Sequence, residues 1–147
     1  MATYRHLARI AVMQTLFSIE FKKSKKTPKE ILHYNIAEIS KHKIDDKFAE
    51  DLLTGVLKQK DKLKETISEN APEWPFEKIA PIDRAILEIG TFELIYNEDV
   101  PQIVAIDEAI EIAKEYGDEN SSKFVNGVLN SIMNKNPREK SGSNKPK

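Results

Sequence analysis

Apolar residues recur along almost the whole chain at spacings of three and four, the repeat of an amphipathic helix. Leu7, Ile10, Ala11, Leu16 and Phe17 carry this repeat through residues 3–22, and Ala8, Val12 and Met13 widen the stripe. Thr27-Pro28-Lys29-Glu30 reads as a capping box with proline at the first helical position. Ile31, Leu32, Ile36 and Ile39 extend the helix that follows to about Lys41. A long third helix is expected from Asp45 or Asp46 to about Glu69. It rests on Phe48, Leu52, Leu53, Val56, Leu57, Leu63 and Ile67, with Lys60 as a polar interruption and Gly55 as the place to bend.

Pro72 and Pro75 exclude helical continuation, so residues 70–78 form the expected junction, with Trp74 and Phe76 pinning that loop to the core. The next helix, Pro81 to Asn97, is apolar over most of its circumference and should be buried among neighbours. Another starts at Pro101 and stops at Gly117, with Ile103, Ile106, Ala109, Ile110, Ala113 and Tyr116 on its buried arc. The last is capped by Asn120, Ser121 or Ser122 and packs Phe124, Val125, Val128, Leu129 and Ile132. The fold class expected is all-α, with two packed helical subdomains, about 1–69 and 79–134, and a disordered basic tail over 135–147.

Composition narrows the function. A chain of 147 residues with 39% hydrophobic content can bury a core, and the absence of cysteine removes disulfide, thiol and cysteine–zinc chemistry. No apolar run approaches the ~20 residues of a membrane span and the N-terminus lacks signal-peptide character, so a cytoplasmic protein is expected. The net charge of -1 hides an asymmetry: residues 1–43 hold nine Lys/Arg against three Asp/Glu, whereas residues 69–99 hold two against eight. Two kinds of partner, or opposite charges facing each other within the fold, both account for it.

Three groups of residues carry candidate chemistry. Arg5 and Arg9 share one helical face beside His6, a short basic row able to hold phosphates. Asp107, Glu108, Glu111, Lys114 and Glu115 form the outer arc of the 101–117 helix, with Val104 among them; an acidic face suits a basic protein and repels RNA. Lys123, Asn126, Gly127 and Asn130 lie together opposite the core stripe of the last helix. Glycine inside a helix costs ~1 kcal/mol relative to alanine, so Gly127 implies a close approach by a neighbouring helix or by a ligand. His33 and His42 lie outside the core stripe and nine apart, and Glu108 and Glu111 have no helix-spaced histidine, so a metal site is not expected; no nucleophile or phosphate-loop signature occurs either. The chain is therefore expected to be neither an enzyme nor a metal or cofactor protein.

These blocks resemble the NusB family of transcription antitermination factors over about residues 4–134. The likeness is carried by Val100-Pro101 followed by VAIDEAIEIAK, by Tyr116-Gly117 and SSKFVNGVLN, by IDRAILEIGTFEL from Ile82 with Trp74 before it, and by ARIAVMQTLF from Ala8. It implies a non-enzymatic helical protein that pairs with NusE, a small-subunit ribosomal protein. The pair binds single-stranded boxA RNA and supports ribosomal RNA transcription within an RNA polymerase antitermination complex. By the same resemblance Arg5, His6, Arg9, Phe17, Lys123 and Phe124 are expected RNA-binding residues, and Asn126 joins them from its place beside Lys123 on the outer face of the last helix. Asp83 matches a family position linked to RNA or complex formation and is expected on the protein-partner side; Asp107, Glu108, Glu111 and Glu115 are expected there from the acidic face alone, not from the resemblance. The alternative is a helical protein–protein module or homodimer with weak RNA binding. A third reading, the RNA-binding portion of an RNA cytosine methyltransferase, lacks both a cofactor motif and a cysteine nucleophile here.

Overall fold

The computed structural model describes residues 2–21, 25–39 and 44–138. Its elements are α1 (Ala2–Phe21), α2 (Pro28–Ile39), α3 (Asp46–Lys58), α4 (Lys60–Asn70), a 3-10 turn (Phe76–Lys78), α5 (Pro81–Tyr96), α6 (Gln102–Tyr116) and α7 (Ser121–Lys135). There is no strand among the described residues. The expected tail beyond Arg138 and the loop lysines Lys22 and Lys23 lie outside them.

Local signals account for most helix starts. The Thr27–Glu30 capping box is formed reciprocally: Glu30 N–H donates to Thr27 Oγ1 at 3.1 Å and Thr27 N–H donates to Glu30 Oε1 at 2.8 Å. Asp45 caps α3 by accepting from Phe48 N–H at 3.0 Å. Pro81 occupies the first turn of α5, where its missing N–H costs nothing.

The long third helix is two helices. The chain turns at Gln59, whose φ of -101° and ψ of 19° leave the helical well, although Gln59 N–H still bonds Gly55 O and Leu63 N–H bonds Gln59 O. The turn redirects the apolar stripe, since α3 packs on α1, α2 and α5 whereas α4 packs on α5 and α7. Gly55 serves a different purpose from the expected bend. A Cβ there would lie 2.2 Å from Phe92 Cζ, so glycine makes room for the aromatic ring of α5.

α5 is the central helix, touched by α1, α3, α4, α6 and α7. Every residue from Asp83 to Thr91 is buried, and Gly90 lets Leu129 of α7 approach so closely that a Cβ would meet its Cδ1 at 2.7 Å. Burying a helix on all sides also buries its charges, and Asp83, Arg84, Glu88 and Glu93 are all under 8% exposed. Arg84 donates to the carbonyl oxygens of Glu77 (3.1 Å) and Ile79 (3.0 Å) and pairs with Glu20, tying the 3-10 segment to α1. Phe76 packs against the core as expected, but Trp74 is 52% exposed and pins nothing.

The phase of α6 also differs from the expected arc. Its buried residues are Ala105, Ile106, Ala109, Ile112 and Ala113, while Ile103 is 59% and Tyr116 41% exposed. Packing against both α5 and α7 selects the small residues and Ile112, and leaves the two ends of the helix beyond the contact.

Candidate nucleic-acid and partner interface

α1 presents its basic row to α3, α5 and α6, and the three side chains meet different fates. Arg5 remains half-exposed, lies over the Phe48 ring at 4.6 Å, and its Nε is 3.6 Å from Asp45 Oδ2 at the α3 cap. His6 is held between two glutamates of α6, with Nδ1 at 2.8 Å from Glu108 Oε1 and Nε2 at 3.6 Å from Glu115 Oε1. Arg9 is 3% exposed, and its guanidinium lies over the Phe48 ring at 4.9 Å from the centroid. It donates from Nε and Nη2 to the two Glu93 oxygens, each at 2.9 Å, and its Nη1 lies 3.4 Å from Glu108 Oε1. Burial pushes the Glu93 carboxyl above the ordinary carboxylate range, and the Arg9 guanidinium pulls it back.

The donors of Arg9, an expected RNA-binding residue, are committed inside the protein, and a phosphate reaching it would have to displace a buried carboxylate. The carboxylate of Glu108, expected on the protein-partner side, faces His6 and Arg9 of α1. For this part of the charge asymmetry, opposite charges do face each other within the fold. Asp107 and Glu111 remain exposed, with Lys114 Nζ 3.9 Å from Glu111 Oε2, and Ile103 and Val104 lie exposed on the same helix. Phe17 is half-buried and its ring packs on that of Phe21 at 5.0 Å.

The N-terminal ends of α5 and α7 meet at a cleft of about 410 Å³, lined among others by Trp74, Lys78, Asp83, Asp118, Ser121 and Phe124. Asp118 shapes its rim, accepting from Asn120 N–H at 2.9 Å, while its own N–H donates to Ser121 Oγ at 3.0 Å. Gly117 permits this turn, since a Cβ would collide with Ser121 Oγ at 2.3 Å. Asp83 is 7% exposed, and its Oδ1 has no hydrogen-bond partner. An unpaired buried acceptor costs about 1–3 kcal/mol. Burial pushes the Asp83 carboxyl up, the nearby Ser121 hydroxyl lowers it and the Asp118 charge raises it again, while the Ser121 hydroxyl itself donates to Asp118 Oδ1 at 3.3 Å. The sequence pattern did not mark this cleft as a unit: Asp83 and Phe124 lie 41 positions apart in the chain, and their meeting depends on the α5–α7 packing.

On α7, Lys123 and Asn126 are exposed as expected, and Asn130 Nδ2 donates back to Asn126 O at 3.0 Å. No atom comes within 4 Å of a Cβ built at Gly127, so no neighbouring helix explains the glycine. The clefts around Arg5 and around Asp83 share no lining residue. The structure thus joins His6, Arg9 and Glu108 in one network and Asp83 with Phe124 in another, and leaves Lys123, Asn126, Asp107 and Glu111 on open surface. His33 pairs with Glu50 across helices at 2.6 Å, and no metal-binding cluster occurs among the described residues.

A helical scaffold with charged clefts and open polar helix faces defines a helical protein with surfaces suited to binding. The chain belongs to the NusB family, a family of non-catalytic transcription antitermination factors, which it matches over residues 6–134. It is 45% identical to the transcription antitermination protein NusB of Bacillus pumilus over 130 residues, covering 88% of this chain and 95% of that protein. It is 39% identical to the protein of that name from Bacillus subtilis, with 87% and 93% covered. Among solved structures, T. maritima NusB superposes with a TM-score of 0.79 at 36% identity, covering 91% and 93% of the two chains. The fold is also that of a structure of antitermination factors NusB and NusE in complex with dsRNA, with a TM-score of 0.80 at 23% identity and 92% and 99% covered. No described helix is long and apolar enough to cross a membrane.

Proposed function

We propose that this protein is an RNA-binding adaptor that pairs with NusE and, as a pair, engages boxA-type single-stranded RNA during ribosomal RNA transcription. The observation that carries the RNA part is the outward face of α7. Lys123 and Asn126 stand exposed beside a glycine that faces open space, although glycine there weakens the helix. Lysine supplies charge for a phosphate, Asn126 can pair with a base edge, and the half-buried Phe124 offers a ring for stacking. Arg5 and His6 are the α1 residues with the accessibility to add to this surface, and Phe17 contributes from the far end of α1. Arg9 serves by positioning α1 through Glu93.

For the protein partner, α6 offers exposed Ile103 and Val104 next to exposed Asp107 and Glu111, an apolar patch rimmed by acid that fits a basic protein. That a protein of this fold has been solved with NusE and dsRNA supports a NusE partner and an RNA partner. The same α6 patch would serve a homodimer, the second reading. The test is a titration of boxA RNA against the protein alone and against its mixture with NusE, with sedimentation of each sample. Tighter binding by the mixture is expected. Equal affinity with and without NusE, or a dimer that dissociates on neither addition, would overturn the adaptor reading in favour of the second.

A further inference from the structure

Each side chain of the α1 basic row meets a carboxylate from another helix or its cap, and those carboxylates differ in what else they do. Glu93 is buried and takes two bonds from Arg9, each at 2.9 Å. Asp45 pairs with Arg5 through Oδ2 while its Oδ1 caps α3. Glu108 Oε1 is shared by His6 Nδ1 at 2.8 Å and Arg9 Nη1 at 3.4 Å. Glu115 has no such second task among the described residues. Its side chain is 55% exposed and its carboxylate pairs with His6 Nε2 at 3.6 Å, too far for a hydrogen bond. Nor does α6 gain from it: a carboxylate in the last turn of a helix opposes the macrodipole, and Glu111 repels it from i−4.

We propose that Glu115 is an internal competitor for RNA phosphate at His6, and so sets how strongly the basic row of α1 holds RNA. The assignment rests on the RNA reading above and names a residue that tunes that same surface. Glu108, anchored by Arg9, fixes the imidazole through Nδ1 and leaves Nε2 for whichever anion approaches, on a side chain 25% exposed. A phosphate arriving there meets the Glu115 carboxylate twice over, as a like charge and as a rival for the same donor. The phosphate prevails because it can settle at hydrogen-bonding distance and form a charge-assisted bond, whereas α6 holds Glu115 back. An exposed pair of this kind changes an equilibrium by at most about fivefold, so Glu115 weakens RNA binding without abolishing it. Glu93 and Asp45 cannot yield in this way, since leaving Arg9 strands a buried charge and leaving its place uncaps α3.

A labelled single-stranded boxA RNA is titrated with the full-length protein, alone and mixed with NusE. The samples are held at about pH 6, because N–H groups on both ring nitrogens require the imidazolium. Salt is kept at about 0.1 M, where exposed charges more than ~10 Å apart are screened. Glu115→Gln should bind RNA about two- to fivefold more tightly than the wild type. In a His6→Ala background the same substitution should change affinity by less than about 1.5-fold, because the competitor has lost its site. The melting temperature of Glu115→Gln, an exposed and nearly isosteric change, should stay within about 2 °C of the wild type. His6 ring signals in proton NMR, identified among three histidines by their loss in His6→Ala, should move both on adding RNA and in Glu115→Gln.

If the wild type binds RNA and Glu115→Gln binds it no more tightly, the competitor assignment is overturned while the RNA reading stands. Equal gains with and without His6 would overturn it too, since the effect would then be one of net charge. If neither the wild type nor Glu115→Gln binds RNA, alone or with NusE, the RNA reading falls and this assignment with it.

Discussion

Arg9 and Glu93 form a buried, two-pronged ion pair between α1 and the central helix, with Nε–Oε1 and Nη2–Oε2 both at 2.9 Å and the side chains 4% and 1% exposed. The pair fixes the rotation of α1 against α5, and so decides that Arg5 faces the α3 cap and His6 faces α6. Removing one partner leaves an uncompensated buried charge, which costs about 3–5 kcal/mol. Arg9→Ala should therefore lower the melting temperature by about 10 °C or more, at ~2–4 °C per kcal/mol for a chain of this size. The double variant Arg9→Met, Glu93→Leu should recover most of that loss, because well-packed apolar groups can replace a buried pair. Thermal unfolding followed by circular dichroism reads both. A double variant as unstable as the single would mean that packing against Phe48, rather than charge, dominates.

Arg5 differs from Arg9 in kind. It is half-exposed, and its Asp45 contact is a long surface pair worth at most ~1 kcal/mol. Arg5→Ala should change the melting temperature by less than about 3 °C but weaken boxA RNA binding. If Arg5 contacts one phosphate, the slope of log K against log salt should shrink by about 0.7, the value per phosphate for a single strand. A titration repeated at four salt concentrations checks this, and an unchanged slope would remove Arg5 from the RNA surface.

The contrast between these two arginines shows what the sequence could and could not reveal. Spacing of four places Arg5 and Arg9 on one face of α1, and they are on one face. It carries no information on which neighbour that face meets, and Glu93 lies 84 positions away. The phase of α6 failed for a related reason. Ile103, Val104, Ala105, Ile106, Ala109, Ile110, Ile112 and Ala113 cover more than half the circumference, so periodicity identifies a helix without saying which edge of the stripe is buried. Proline, glycine and capping signals are local and were legible: the capping box at Thr27, Pro81 in the first turn of α5 and the stop at Gly117 all stand where they were read. Gly55 was legible as special but not in purpose, because the ring it admits comes from Phe92, in a helix not adjacent in sequence.

Glu88 gives a prediction in pH. It is 5% exposed, and burial pushes its carboxyl above the ordinary value of 4.5, with Lys60 lowering it, Glu20 raising it and Arg84 lowering it. A raised acid favours folding only while protonated. Its contribution is fully present below the unfolded value and is lost as pH rises through the folded one. Glu88→Gln mimics the neutral form at every pH. It should be more stable than the wild type at pH 7, with a higher melting temperature, and equal to it near pH 4. Melting curves of both proteins across that range test the sign. A variant less stable at pH 7 would show that the Lys60 and Arg84 charges outweigh burial.

Gly127 joins stability to function in one substitution. Within α7 it faces open space, with no atom within 4 Å of a Cβ built there, so alanine meets no steric obstacle. Alanine also gains the ~1 kcal/mol that separates the two residues in a helix interior. Gly127→Ala should accordingly raise the melting temperature by about 2–4 °C. Gly90→Ala, by contrast, drives a Cβ to 2.7 Å from Leu129 Cδ1 at the α5–α7 contact and should destabilise by about 1–3 kcal/mol. If the outer face of α7 receives RNA, the added methyl at residue 127 stands where a backbone or base comes close, between Lys123 and Asn130 on the same face. The stabilised variant should then bind boxA RNA with NusE at least threefold more weakly than the wild type. Paired melting and RNA titrations on one preparation read both effects. A variant that is more stable and binds RNA equally well would show that RNA does not approach α7 at Gly127.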